Sequence, residues 1–292
     1  MKKTILLISI FTSSISLGYT TFNISDSLAF GASNALGLAV NPDNGHIFIS
    51  TLSYSGQDNL YEFDSSGNFV HSTRVPFDTG PQGNLGRMTV GQSGHLYINA
   101  VWYSLATHVA QHYILETSQD GQTIYSSLPD VNANQGLSCD PVTQNLFYLE
   151  YLSPQNYSLN EITTNGDVVS QFNLDEPTIS SHYAGLAYDP LSEDYFVSEY
   201  YSYANILDRY SKNASGEYAY VMSYDMKSIG LDKNVFDIDI NRSTGMFYAQ
   251  HGNEQVVIFD LDELDSFYVP EPASAVLLIV GAGLFRCGKR KR

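Results

Sequence analysis

One unit recurs five times along this chain, and a repeat limits the possible fold more than any local feature does. Gly37-Leu38-Ala39-Val40 runs through Asn41-Pro42-Asp43-Asn44-Gly45 into His46-Ile47-Phe48-Ile49. Gly86-Arg87-Met88-Thr89-Val90 leads likewise to Gly94-His95-Leu96-Tyr97-Ile98. The pattern returns at Gly136-Leu137-Ser138-Cys139-Asp140-Pro141, at Gly185-Leu186-Ala187-Tyr188-Asp189-Pro190 and at Asp237-Ile238-Asp239-Ile240-Asn241. The units start near 37, 86, 136, 185 and 237, at intervals of 49, 50, 49 and 52 residues. In the first unit, strand-like runs fall at 37–40, 47–50, 59–63 and 69–75, and Asp64-Ser65-Ser66-Gly67-Asn68 is a hairpin signal between the last two. Four short antiparallel strands per unit, with turn residues between them and no helical period, predict a propeller blade.

The sequence therefore predicts an all-β body over 22–268, a β-propeller of five four-stranded blades. The fifth unit ends early, and the stretch 22–30 has no partner of its own, so that stretch is expected to supply the missing outer strand and close the ring. Closure removes a free sheet edge, which open β-structure would leave exposed. The first unit, together with Asn59-Leu60-Tyr61-Glu62-Phe63-Asp64, resembles an NHL-type repeat, although units of this length exceed the usual one.

Both ends differ from the body. Met1-Lys2-Lys3, the apolar run from Ile5 to Phe11 and small residues near Gly18 read as a signal peptide over 1–18, a short N-terminal signal helix. At the other end Val269-Pro270-Glu271-Pro272 precedes an apolar stretch at 273–285 and a basic end, Arg286, Lys289, Arg290, Lys291 and Arg292. Thirteen helical residues rise only about 20 Å, against a hydrocarbon core of roughly 30 Å, so 273–285 is a marginal transmembrane helix. The basic cluster would keep its own side cytoplasmic. Segment 269–292 resembles the PEP-CTERM sorting signal of Gram-negative bacteria. That resemblance implies an exosortase-type processing enzyme as partner, transient contact with the membrane, an inner-membrane intermediate, and then a place at the cell surface or in a matrix of exopolysaccharide and biofilm. An ordinary C-terminal membrane anchor is the alternative.

Without these ends the body holds 7 basic and 30 acidic residues, a net charge of −23. Such a surface repels polyanions, which excludes nucleic acid as a partner. Cys139 is then the sole cysteine, so no intramolecular disulfide is available.

No Gly-x-Ser-x-Gly elbow, His-Glu-x-x-His pair or phosphate-binding glycine loop is present. Loops after the second strand of the first four units are aromatic, with Tyr54, then Trp102 and Tyr103, then Tyr151 and Tyr157, then Tyr200, Tyr201 and Tyr203. Flat rings on one face suit saccharides or protein partners. Aligned units also place Thr51, Ala100, Glu150, Glu199 and His251 at one equivalent position. Glu150, Glu199 and His251 would form a divalent-cation site if they converged; no other cofactor is expected. Asp237 and Asp239 share a strand face, and Asp239, which replaces the small Ala39, Thr89, Ser138 or Ala187 of the other units, either faces the channel for a cation or takes a hydrogen bond inside the ring. The expected function is a non-enzymatic binding or structural protein that takes exopolysaccharide or surface proteins as partners. The alternative is a metal-dependent propeller enzyme, lactonase-like or glycan-acting.

Overall fold

The computed structural model describes residues 19–24, 34–52, 59–77, 84–104, 106–129, 131, 135–153, 156–174, 182–200 and 205–264. They form five antiparallel sheets of four strands. The chain opens with β1 (Thr20–Asn23). Blade 1 is β2 (Asn34–Val40), β3 (Ile47–Leu52), β4 (Asn59–Phe63) and β5 (Phe69–Arg74). Blade 2 is β6 (Asn84–Val90), β7 (Leu96–Ser104), β8 (Val109–Thr117) and β9 (Ile124–Pro129). Blade 3 is β10 (Leu137–Cys139), β11 (Leu146–Ser153), β12 (Asn156–Ile162) and β13 (Val168–Leu174). Blade 4 is β14 (His182–Asp189), β15 (Asp194–Tyr200), β16 (Ile206–Lys212) and β17 (Tyr218–Asp225). Blade 5 is β18 (Val235–Asn241), β19 (Met246–His251) and β20 (Gln255–Asp260), completed by β1.

Ring closure lies inside blade 5, where Thr20 pairs with Ile258 and Asn23 with Gln255. The closing strand overlaps the expected stretch in Phe22 and Asn23, while 25–30 lie outside the described residues. The hairpin signal of blade 1 closes as its residues dictate. Asp64 N–H donates to Asn68 O at 2.9 Å, and Gly67 takes φ +81°, which a side chain would resist.

Strand alternation then builds the core. Successive residues point to opposite faces of a blade, and each face packs on a neighbour. One apolar cluster fills each seam: Ile49 and Ile258 between blades 5 and 1, Phe48 and Ile98 between 1 and 2, Ile114 and Tyr148 between 2 and 3, Leu149 and Val197 between 3 and 4, Phe196 and Phe247 between 4 and 5. Each large side chain wholly removed from water contributes about 1.5–3 kcal/mol.

Two expectations are corrected. Among the described residues the fold is all-β, with neither the N-terminal signal helix nor the C-terminal transmembrane helix that were expected. Helix among the described residues amounts to a 3₁₀ turn, Met226–Ile229, and a single turn α1 (Leu261–Leu264). No helix among them is long and apolar enough to cross a membrane, so the inner-membrane intermediate, and the cell-surface or matrix destination inferred from it, have no structural basis. Segments 1–18 and 269–292, with Val269, Pro270, Glu271, Pro272 and the basic residues Arg286, Lys289, Arg290, Lys291 and Arg292, lie outside the described residues.

Candidate functional site: the channel and the upper face

The inner strands β2, β6, β10, β14 and β18 surround the channel. The upper face is the end that carries the links between blades and the loops after each second strand. Near that end four inner strands shift register, at Ala35/Gly37, Leu85/Met88, Tyr183/Leu186 and Val235/Ile238. Such a bulge leaves backbone groups without ladder partners, and the chain supplies partners from its own side chains. Arg87 donates through Nε to Ala184 O at 3.0 Å and through its terminal nitrogen to Leu36 O, tying blade 2 to blades 4 and 1. Ser50 Oγ donates to Gly86 O at 2.6 Å. Asn99 Nδ2 donates to Gln135 O at 2.8 Å, and Gln250 Nε2 to Ala35 O at 2.6 Å.

A lower tier repeats the device. Arg242, in the turn after β18, donates to Cys139 O in blade 3 and, at 3.4 Å, to Val90 O in blade 2. Two carboxylates complete the set: Asp237 accepts from Leu38 N–H at 2.8 Å, and Asp239 from Val40 N–H at 2.8 Å and Ile240 N–H at 2.9 Å. Of the two readings open for Asp239, hydrogen bonding within the ring is the one realised. Burial pushes the Asp237 carboxyl well above the usual range against the pull of Arg87, and pushes Asp239 up to about 6 against Arg242. The channel is thus cross-braced by guanidinium groups at two levels.

The residues expected to hold a metal do not meet. Glu150, Glu199 and His251 each lie two positions beyond a residue packed on the preceding blade, namely Tyr148, Val197 and Ala249. By strand alternation they enter three different seams rather than the channel. Glu150 lies 3.5 Å from Ser158 Oγ and 3.5 Å from Asn160 Nδ2 within blade 3, and Glu199 is buried. His251 accepts from Lys233 N–H at Nε2, 2.8 Å, and its Nδ1 is 3.4 Å from Gln255 Oε1; burial holds its pKa below the ordinary value. Among the described residues no three His, Cys, Asp or Glu side chains are grouped to hold a metal.

The aromatic set divides. Trp102 and Tyr103 lie half-buried near the tip of the β7–β8 hairpin, opposite Gln111 and Ala110, with Tyr103 OH 3.3 Å from His108 Nδ1. Tyr151 is half-buried, its ring centroid 5.4 Å from that of Tyr157. Tyr157 is fully buried, its ring centroid 4.7 Å from that of Tyr183 and tilted 54° to it, so its ring serves the seam between blades 3 and 4. Tyr200 ends β15 opposite His182, while Tyr54, Tyr201 and Tyr203 lie outside the described residues.

Arg87 and Arg242 went unnoticed in the sequence. Matching Gly86 to Gly37 hid the first; pairing Leu38 with Ile49 and Met88 with Ile98 shows that Arg87 occupies the Gly37 position. Their rarity was the available signal, since two of only seven basic residues in the body stand in or beside inner strands. Also missed was a polar network in the seam between blades 3 and 4. Tyr183 OH lies 2.6 Å from Tyr210 OH and 3.3 Å from Asp208, which also accepts from Ser223 Oγ at 2.6 Å.

The chain is a five-bladed β-propeller. It is similar in fold to an exo-β-1,3-galactanase from Phanerochaete chrysosporium, with 11% identity and TM-score 0.56 over 86% of this chain and 65% of that one. It is similar also to a luciferin-regenerating enzyme, with 8% identity and TM-score 0.51 over 84% of this chain and 96% of that one. At such identities the likeness is of fold alone. No family model and no curated protein matches the sequence. The resemblance to the PEP-CTERM signal and its exosortase-type partner therefore gains no support, and the sorting route built on it is withdrawn.

Proposed function

We propose that this propeller is a non-enzymatic binding module that holds a neutral saccharide chain against the upper rim of blade 2. The observation that carries the reading is the β7–β8 hairpin. Both its strands run nine residues, the longest among the described strands, and near the tip they present Trp102 beside the exposed Gln111, with Tyr103 on the opposite strand face. The indole of Trp102, fixed on a strand pair at little entropy cost, offers a flat apolar surface, and the Gln111 amide on the same strand face suits hydroxyl groups. The acidic body, with 30 acidic against 7 basic residues, disfavours anionic polymers and leaves neutral chains as the better match.

Trp102 is the only tryptophan in the chain, so its emission reports directly on the rim. Titration with neutral β-linked glucan and galactan oligosaccharides is expected to give a saturable change in emission, and Trp102→Ala with Tyr103→Ala is expected to abolish binding measured by calorimetry. Binding by the double variant at the parent affinity, or no saturable response to any of these oligosaccharides, would overturn the reading.

A further inference from the structure

Blades 1 to 4 join their third and fourth strands by tight turns at 64–67, 118–121, 163–166 and 213–216. Blade 5 has no such turn, because its fourth strand is β1 from the start of the chain. After β20 the chain instead turns into α1, whose Leu264 is buried in the core between blades 4 and 5. A cleft of about 530 Å³ remains on the lower face, walled by α1, the 242–245 turn and the 189–192 turn. It continues into a smaller recess with Phe196, Tyr224 and Leu261 in its lining. Ring closure thus places here a hollow whose α1 wall no other blade has.

Most charges around this cleft are already committed. Arg209 pairs with Asp194 at 2.5 Å and lies 5.9 Å from the Phe196 ring centroid, while Arg242 is bonded across the channel. Asp189 accepts from Leu191 N–H at 3.0 Å and Ser192 Oγ at 2.6 Å. Asp260 and Asp262 remain exposed at the α1 wall, on either side of the aliphatic Leu261 and across from the exposed Leu191. One Asp260 oxygen accepts from Asp262 N–H at 3.0 Å, which fixes the wall.

We propose that this cleft binds a Lys or Arg side chain of a partner peptide, its cationic head against Asp260 and Asp262 and its aliphatic stem along Leu261 and Leu191. Charge complementarity picks this occupant: two open carboxylates flank apolar surface, and long cationic side chains bury their stems while the head stays hydrated. The site lies on the face opposite the aromatic rim, so it stands or falls independently of saccharide binding.

The test is an NMR titration of the whole protein at 0.15 M salt with N-acetylarginine amide, N-acetyllysine amide and the neutral N-acetylcitrulline amide. Both cations are expected to saturate one site with shifts confined to α1 and the 189–192 and 242–245 turns, and citrulline to bind about tenfold more weakly. Asp260→Asn keeps the acceptor for Asp262 N–H; it and Asp262→Asn are each expected to weaken binding about threefold to tenfold. Asp167→Asn, an equal charge change at an exposed turn of blade 3 away from the cleft, is expected to alter affinity less than about twofold. Equal weakening by Asp167→Asn, equal binding of citrulline, or shifts that never saturate would each overturn the site.

Discussion

Gly37 and Gly86 look interchangeable in the repeat, yet the structure separates them sharply. A β-carbon on Gly37 would stand 2.1 Å from Gly86 O, 2.6 Å from Ser50 Oγ and 2.9 Å from Gly86 C. Two of those atoms are backbone of the next inner strand, so the seam between blades 1 and 2 would have to open by about an ångström to restore ordinary contact. Overpacking of that kind costs about 1–3 kcal/mol. Displacement would also stretch the Ser50 Oγ bond to Gly86 O, now 2.6 Å, adding about 1 kcal/mol. The narrower unfolded ensemble of alanine returns about 0.4–1 kcal/mol. Gly37→Ala is therefore expected to destabilise the ring by about 2–3 kcal/mol, a fall in melting temperature of about 4–12 °C. A β-carbon on Gly86 meets nothing closer than Asn99 O at 3.5 Å. Gly86→Ala is expected to stay within about 0.5 kcal/mol of the parent. Urea unfolding followed by far-ultraviolet circular dichroism measures both. Equal losses in the two variants, or a silent Gly37→Ala, would refute the register that places Arg87 rather than Gly86 in the Gly37 position.

Arg87→Met removes two carbonyl contacts and the attraction that opposes desolvation of Asp237, and should cost about 3–5 kcal/mol in urea unfolding; adding Asp237→Asn should recover at least about 1 kcal/mol, and a purely additive pair would contradict the coupling. Asp239 holds its proton more tightly folded, at about 6, than unfolded, so its contribution is full below pH 4 and is lost as pH rises through 6. Relative to Asp239→Asn, the parent should lose about 2.5 kcal/mol between pH 4 and pH 7, and a pH-independent difference in unfolding free energy would count against the assignment. Burial pushes the Cys139 thiol up to about 11, so in a Cys287→Ser background Ellman's reagent at pH 8 should react only after unfolding, whereas prompt labelling of native protein would show the seam between blades 2 and 3 to be open.

Turn chemistry made the blades legible. Asp64 through Asn68 and its three echoes mark hairpins locally, and alternation between them fixes which residues enter a seam. Relations between blades were harder to read, because they depend on the rotation from one blade to the next. Glu150, Glu199 and His251 are equivalent in the repeat, and that equivalence keeps them apart: each points at the preceding blade, so ring symmetry sends them to different seams. Convergence at the axis belongs to inner-strand positions, where glycine at 37, 136 and 185 gives way to Arg87 and Asp237. Tyr157 shows the same limit, since composition marks an aromatic loop while register decides that the ring is buried.

Five similar units closed at one place must become unequal there. The three strands β18 to β20 reach β1 and blade 1 without a covalent link at their outer edge, and β1 offers only four paired residues. Further polar hold on blade 1 comes from Ser243 Oγ on Pro42 O at the turns and, in buried positions, from Asp237 on Leu38 N–H, Asp239 on Val40 N–H and Gln250 on Ala35 O. At the equivalent inner-strand level, Ser138 Oγ accepts from Tyr188 N–H at 3.2 Å between blades 3 and 4, and a hydroxyl suffices there because β13 ties those blades through the chain. Carboxylates are costly to bury and strong once bonded to backbone N–H groups. Placing two of them where β18 to β20 meet blade 1 concentrates directional bonding at the joint that chain connectivity leaves weakest. Arg87 from blade 2 and Arg242 from the turn after β18 each offset part of the cost of burying a carboxyl group, Asp237 and Asp239 respectively, so the braces and the closing joint act as one electrostatic unit.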